Sequence, residues 1–133
     1  MAHTFKYQTI GISKLPRPFI PLTLRYHHRT LKIKALVDSG ADFCMFDGQL
    51  LQLLDADMNL NTLETIKLNG IGGGTTGYVA HIEIGVQESF FPVPAVFSFD
   101  FSPDEFGGLA GQVGFFDTFI VEFHRAALNV TLK

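Results

Sequence analysis

In the run Ala35-Leu36-Val37-Asp38-Ser39-Gly40-Ala41-Asp42, a carboxylate stands at the end of an apolar segment with a glycine turn directly after it. Leu31, Ile33, Ala35 and Val37 alternate with Lys32, Lys34 and Leu36, the period-two pattern of a strand that buries at least one face. Asp38 closes that strand. Taken alone, an Asp-Ser-Gly is the signature of a capped turn. A carboxylate held at a strand end is also how an acid or base is aimed at a substrate, and the rest of the chain decides between the two.

Two further elements bear on that choice. Downstream lies Gly108-Leu109-Ala110-Gly111-Gln112-Val113-Gly114-Phe115-Phe116, and between it and Asp38 lies the glycine-rich stretch Gly70-Ile71-Gly72-Gly73-Gly74-Thr75-Thr76-Gly77. Leu36 to Asp42 resembles the active-site motif of the retroviral-type (retropepsin-like) aspartic proteases, hydrophobic-hydrophobic-Asp-Thr/Ser-Gly-Ala. Gly108 to Phe116 resembles that family's hydrophobic-hydrophobic-Gly segment, which leads into a short helix before the last strands. The glycine-rich stretch falls at the flap position. The resemblance runs from about Phe19 to Leu132 and implies an all-β fold with one or two short helices, a retropepsin-like half-barrel that pairs about a two-fold axis.

Aspartic proteolysis needs two carboxyl groups around one water, one ionised to take its proton and one protonated to donate to the carbonyl oxygen. This chain carries a single Asp-Ser/Thr-Gly, so the resemblance implies that a second copy supplies the other Asp38 and that the active species is a homodimer. Like charges a few ångströms apart cannot both ionise, and the pair shares a proton. By the same resemblance Ser39 braces the paired loops across the axis and Gly40 leaves room for substrate. Ala41 and Asp42 line the cleft, and the flap residues Ile71, Gly72, Gly73 and Gly74 cover an extended peptide or protein substrate bound through strand-like backbone bonds. The expected activity is that of an endopeptidase cutting between hydrophobic residues, with no cofactor and no metal. The alternative is a catalytically silent dimer of the same fold that binds peptides or scaffolds partners.

Two positions depart from the family pattern. Gln112 stands where retroviral members often have an Arg that can brace an acid such as Asp42, so an ion pair there is unsupported. Ala110 is smaller than the usual Ile or Leu. The segment Leu128 to Lys133 is a candidate for the interface sheet.

The glycine-rich stretch also satisfies the dinucleotide pattern G-x-G-x-x-G from Gly72 to Gly77. That motif delivers a pyrophosphate to the N-terminus of a following helix, whereas Tyr78 to Gly85 alternates like a strand. A hairpin tip is the better reading, since glycines there admit positive φ and close approach of a ligand.

The elements that must hold these residues are mostly short strands. A first strand is expected over Phe5–Ile12, a hairpin of Phe19–Tyr26 with Thr30–Val37 around His27-His28-Arg29, and strands near Thr65–Leu68, Tyr78–Ile84 and Phe90–Phe99. Asp47 can cap a helix through Leu54 whose buried side is Leu50, Leu51, Leu53 and Leu54. A second short helix near Gln112–Phe119 precedes a hairpin of Ile120–Phe123 with Leu128–Leu132.

With 133 residues the chain reads as one domain, 1–133, with one core. Charged residues make up 17% and Phe contributes 14, so more apolar surface is on offer than a small monomer usually hides, and self-association is its natural outlet. The net charge of -3 argues against a nucleic-acid partner drawn by a basic field. Cys44 is the one cysteine, which rules out an intrachain disulfide and suggests a buried structural thiol and a cytoplasmic location. No apolar stretch approaches the ~20 residues of a membrane helix, the N-terminus opens no signal-like run, and no membrane partner is expected. His27 and His28 have neither the spacing nor the Cys partner of a zinc site. His81 and His124 read as surface or satisfied core residues, and Asp100 with Asp104 and Glu105 as an exposed rim.

Overall fold

The computed structural model describes residues 2–70, 73–101 and 106–133. In chain order these form β1 (His3–Lys6), β2 (Phe19–Tyr26), β3 (Arg29–Val37), β4 (Met45–Asp47), α1 (Gly48–Leu54), β5 (Glu64–Gly70), β6 (Gly73–Val86), β7 (Ser89–Ser98), β8 (Gly108–Ala110), α2 (Phe115–Thr118), β9 (Val121–His124) and β10 (Asn129–Leu132). The protein is mainly β, as the sequence pattern predicts.

Strands β2-β3-β8-β4-β7-β6 lie side by side in that order, and β2 pairs again with β6 through Thr23–Arg25 against Gly85–Glu83, so six strands close into a barrel. Closure works because β6 changes partners along its length. Its second half pairs with β2, while Gly73–Val79 pairs with β5 on the same side. Since β7 accompanies β6 only from Tyr78 onward, the stretch of β5 and β6 between Ile66 and Gly77 stands clear of the barrel as a two-stranded ribbon.

The alternation in β2 and β3 produces the core. Ile20, Leu22 and Leu24 of β2 and Ala35 and Val37 of β3 are buried in one cluster with Phe46, Leu51, Ile82, Ile84, Val93, Ala95, Phe97, Ala110 and Phe115, while buried Phe19 packs against Phe106. Prolines are tolerated because each sits where its strand has one neighbour. Pro21 precedes the β2–β6 pairing, and Pro92 and Pro94 precede the Val96–Ser98 pairing of β7 with β4. The β2–β3 hairpin turns at His27 and His28, with His27 at φ 54. Both histidines are exposed.

Three expectations need correction. The first strand covers His3–Lys6 instead of Phe5–Ile12. The Tyr7 N–H still donates to the Leu128 carbonyl at 2.8 Å, but the chain is then turned back by a bridge between Gln8 and Arg17, and Gly11 adopts φ 82, so Gln8 to Ile12 do not extend β1. The second helix is confined to Phe115–Thr118. Gly114 at φ 98 is not helical, so the helix cannot begin before Phe115. Asp47 does cap α1, accepting from the Gln49 N–H at 3.0 Å, but only Leu51 and Leu54 are fully buried and Leu53 is 57% exposed.

A separate three-stranded sheet, β1-β10-β9, carries both chain termini. Leu132 and Val130 of β10 are buried against the core. Among the described residues no helix is long and apolar enough to cross a membrane.

Candidate active site

Asp38 is placed by the crossing of two chain segments. The short strand β8 inserts between β3 and β4, parallel to β3 (Leu36 beside Leu109, Val37 beside Ala110) and antiparallel to β4 (Met45 beside Leu109). The turn that follows β3 therefore lies against the segment that follows β8. Asp38 N–H donates to the Ala110 carbonyl at 3.0 Å, which fixes the backbone at the strand end.

Beyond that point the chain folds into an Asx-type turn. The Gly40 N–H donates to Asp38 Oδ1 at 2.9 Å and the Ala41 N–H to the Asp38 carbonyl at 3.2 Å. The capped-turn reading of Asp38 is thus correct for one oxygen. Among the described residues Oδ2 has no partner, and the half-buried side chain lines a cleft of about 410 Å³. Gly40 is matched to this turn, since a Cβ there would sit 3.3 Å from Oδ1.

The segment after β8 braces the loop in three places. Gln112 N–H donates to the Ala41 carbonyl at 2.8 Å, Val113 N–H to the Asp42 carbonyl at 2.9 Å, and Gln112 Nε2 to the Ser39 carbonyl at 2.8 Å. Where an arginine ion pair is unsupported, a neutral amide bond to the backbone does the holding. Gly111 is needed for the approach: a Cβ there would collide with the Phe43 carbonyl and lie 2.7 Å from the Ala41 carbonyl. Ala110 is fully buried behind the loop.

The cleft is lined by Asp38, Gly40, Ala41, Asp42, Phe43, Met45, Val96 and Leu109 of the barrel and by Lys67, Leu68 and Asn69 of the β5 ribbon. Of the residues singled out from the sequence, the structure brings Asp38, Gly40, Ala41 and Asp42 together in it, with Ser39 exposed beside them. Gly73 and Gly74 open β6 at the far end of the ribbon, opposite Gly70 and Asn69. Ile71 and Gly72 lie outside the described residues, as do Asp104 and Glu105. The glycine-rich stretch does not reveal Lys67, Leu68 and Asn69; the strand pairing that carries them over the cleft is the signal that finds them. Met45 and Leu109 were missed because three-residue strands leave no periodicity to read.

Other polar groups stand apart. Cys44 is fully buried, its Sγ 3.7 Å from the Val113 carbonyl, and burial pushes its thiol above the usual range, which leaves it a poor nucleophile. Asp100 is exposed, yet it accepts a hydrogen bond from Thr75 and so ties the ribbon to the end of β7. His81 and His124 are exposed, the latter 3.3 Å from Glu122. A larger and more open depression of about 510 Å³ lies by Lys32, Lys34 and Asp47, where Asp47 Oδ1 accepts from the Gln49 N–H as the cap of α1. Among the described residues no group of three or more His, Cys, Asp or Glu is placed to hold a metal ion.

No protein-family model matches the chain, and a search of curated proteins finds no match to it.

Proposed function

We propose that the protein is an aspartic endopeptidase of the retropepsin-like type, active as a homodimer in which each chain supplies one Asp38. The observation that carries the reading is the state of that side chain: one oxygen is tied down by the Gly40 N–H, and the other has no partner among the described residues in a cleft where apolar Phe43, Met45, Val96 and Leu109 stand beside polar Asp42, Lys67 and Asn69. A residue that only capped its turn would need neither the cleft nor the three bonds that hold its loop from behind.

In the proposed dimer two Asp38 side chains share one proton and hold one water between them. The ionised carboxylate takes a proton from the water as its oxygen attacks the peptide carbonyl carbon, and the protonated partner donates to the carbonyl oxygen. Collapse of the tetrahedral species breaks the C–N bond: the carboxyl that took the water's proton gives it to the leaving nitrogen, and one hydroxyl returns its proton to the other carboxylate as the C=O re-forms, which restores the singly protonated dyad. Asp42, Leu68 and Asn69 border the path of an extended peptide, and Met45, Val96 and Leu109 offer apolar contact to its side chains.

The second copy has a limited choice of docking edges. In this fold β10 has β1 on one side and β9 on the other, so both its edges are filled within the chain. Joining two such sheets requires β1 or β9 as the seam.

The test is a peptide-library digest with wild type and Asp38→Asn side by side, between about pH 4 and 7, the range in which such dyads operate. Wild type is expected to cleave and Asp38→Asn to be inactive while remaining folded. Absence of cleavage by wild type throughout this range would overturn the reading in favour of a peptide-binding protein without catalysis.

A further inference from the structure

The floor of the cleft continues past the catalytic loop along one face of the barrel. Leu109 lies beside Met45, Met45 beside Val96, Val96 beside Val79, and Val79 beside Glu64, so one row of side chains crosses β8, β4, β7, β6 and β5 in turn. At the far end this row opens into a separate pocket of about 210 Å³, lined by Phe43, Glu64, Ile66, Val79, His81, Pro94 and Val96. Phe43 and Val96 line both the cleft and this pocket, so the two adjoin. Glycine at position 77 lets β6 pack closely on this row, since a Cβ there would lie 2.5 Å from Val96 Cγ1 and 3.2 Å from Leu68 Cδ1.

The pocket has an apolar floor and a charged rim. Ile66, Val79, Pro94, Val96 and Phe43 offer hydrocarbon, while Glu64 is exposed, with no hydrogen bond or ion pair from the other described residues. A side chain suited to both must be apolar along its stem and cationic at its tip. Arginine fits best, because its planar guanidinium can pair with a carboxylate and lie against the rings of His81 or Phe43.

We propose that this pocket is a distal specificity site that selects a basic side chain, arginine above lysine, in the peptide bound to the Asp38 cleft. The proposal rests on the peptide-cleaving reading of that cleft and names the substrate class it takes. Four steps between neighbouring strands at about 4.8 Å put Glu64 up to about 19 Å from Leu109. With about 3.3 Å per extended residue and the reach of the arginine itself, the selected residue lies roughly three to five positions from the scissile bond.

The experiment takes one cleaved library peptide and places Arg, Leu or Glu at each position three to five residues from the cut on either side. Wild type is expected to show kcat/KM about fivefold or more higher for Arg than for Glu at one of these positions, the effect of exchanging attraction for repulsion at a partly exposed pair. Glu64→Lys should reverse that order, and Glu64→Gln should flatten it. In parallel, fluorescein-labelled versions of the same peptides, and library peptides if none is cleaved, are bound to Asp38→Asn and read by anisotropy, with Asp38→Asn/Glu64→Lys beside it. Cleavage with equal rates for Arg and Glu at every position, or an order unchanged in Glu64→Lys, overturns the specificity site while leaving the peptidase standing. No cleavage, with binding that still favours Arg and reverses in the Glu64→Lys double variant, overturns the peptidase and leaves the site. Neither cleavage nor charge-dependent binding overturns both.

Discussion

At the residue scale, the division of labour between the two oxygens of Asp38 determines what its substitutions do. Asn keeps a carbonyl oxygen that can accept from the Gly40 N–H, so the turn survives while the proton chemistry is lost. Ala removes that acceptor as well. Gly111 tests the loop from behind. Gly111→Ala drives a methyl into the Phe43 and Ala41 carbonyls, backbone groups that must move bodily, and is expected to cost about 1–3 kcal/mol of stability. Since a shift of about 1 Å in a catalytic group can cost on the order of a hundredfold in rate, peptidase activity should fall further than stability does. Denaturant melts and peptide turnover on the same preparation check the pair of expectations; full activity at reduced stability would show that Asp38 does not depend on this brace. The Asp38 to Asp42 motif was legible because its geometry is local, a turn made by neighbours. The Gln112 amide on the Ser39 carbonyl was not, because it joins positions 73 apart and only the insertion of β8 brings them together.

At the element scale, the strand most exposed to failure is β6, which must leave β5 and join β2 partway along. The changeover is fastened by Arg25 of β2 and Glu83 of β6, whose two N–H···O bonds are each 3.0 Å, with the guanidinium stacked 3.7 Å from the Phe90 ring centroid. Gly85 makes room for that ring, since a Cβ there would lie 2.6 Å from it. Hydrogen bonds from Arg25 hold the Glu83 carboxyl below the ordinary glutamate value of 4.5, with slight burial acting the other way. A carboxyl whose folded value is lowered contributes stability that is complete above its unfolded value and is lost as pH falls through the folded one. The melting-temperature difference between wild type and Glu83→Gln should therefore be steady from about pH 5 to 8 and shrink as the pH is taken below about 4. A constant difference down to pH 2 would mean that Glu83 acts by packing alone. The hairpins and α1 were legible from alternation and the Asp47 cap, each a signal carried by six to ten neighbouring residues. The three-residue strands β4 and β8 were invisible for the opposite reason: Met45–Asp47 and Gly108–Ala110 are too short to show a period, and their burial comes from neighbours far along the chain.

At the scale of the whole molecule, what the proposed chemistry lacks in one chain is a second carboxylate, and the surface offers a place for the chain that would bring it. Edge strands invite pairing unless something discourages it, and charged residues such as lysine are the usual means. Edge β1 presents exposed Thr4 and Lys6, whereas around edge β9 the apolar residues Ile120, Phe123 and Leu128 are 68%, 42% and 40% exposed. That asymmetry favours β9 as the seam between two copies, giving a six-stranded sheet from two sets of three. Burying an isoleucine contributes about 1.5–3 kcal/mol and a two-fold seam buries one from each chain, so Ile120→Lys is expected to weaken dimerisation by roughly a hundredfold or more. As a surface position it should change the stability of the single chain by no more than about 0.5 kcal/mol. Lys6→Ala on the other edge should leave association unchanged. Sedimentation equilibrium gives the association constants, and specific activity measured across the same concentrations should track the dimer fraction in every variant, with Ile120→Lys recovering at high concentration. Undiminished activity from a species that sediments as a single chain would remove the second Asp38 from the mechanism, because one carboxyl group cannot be both the base that activates water and the acid that protonates the carbonyl in the same step.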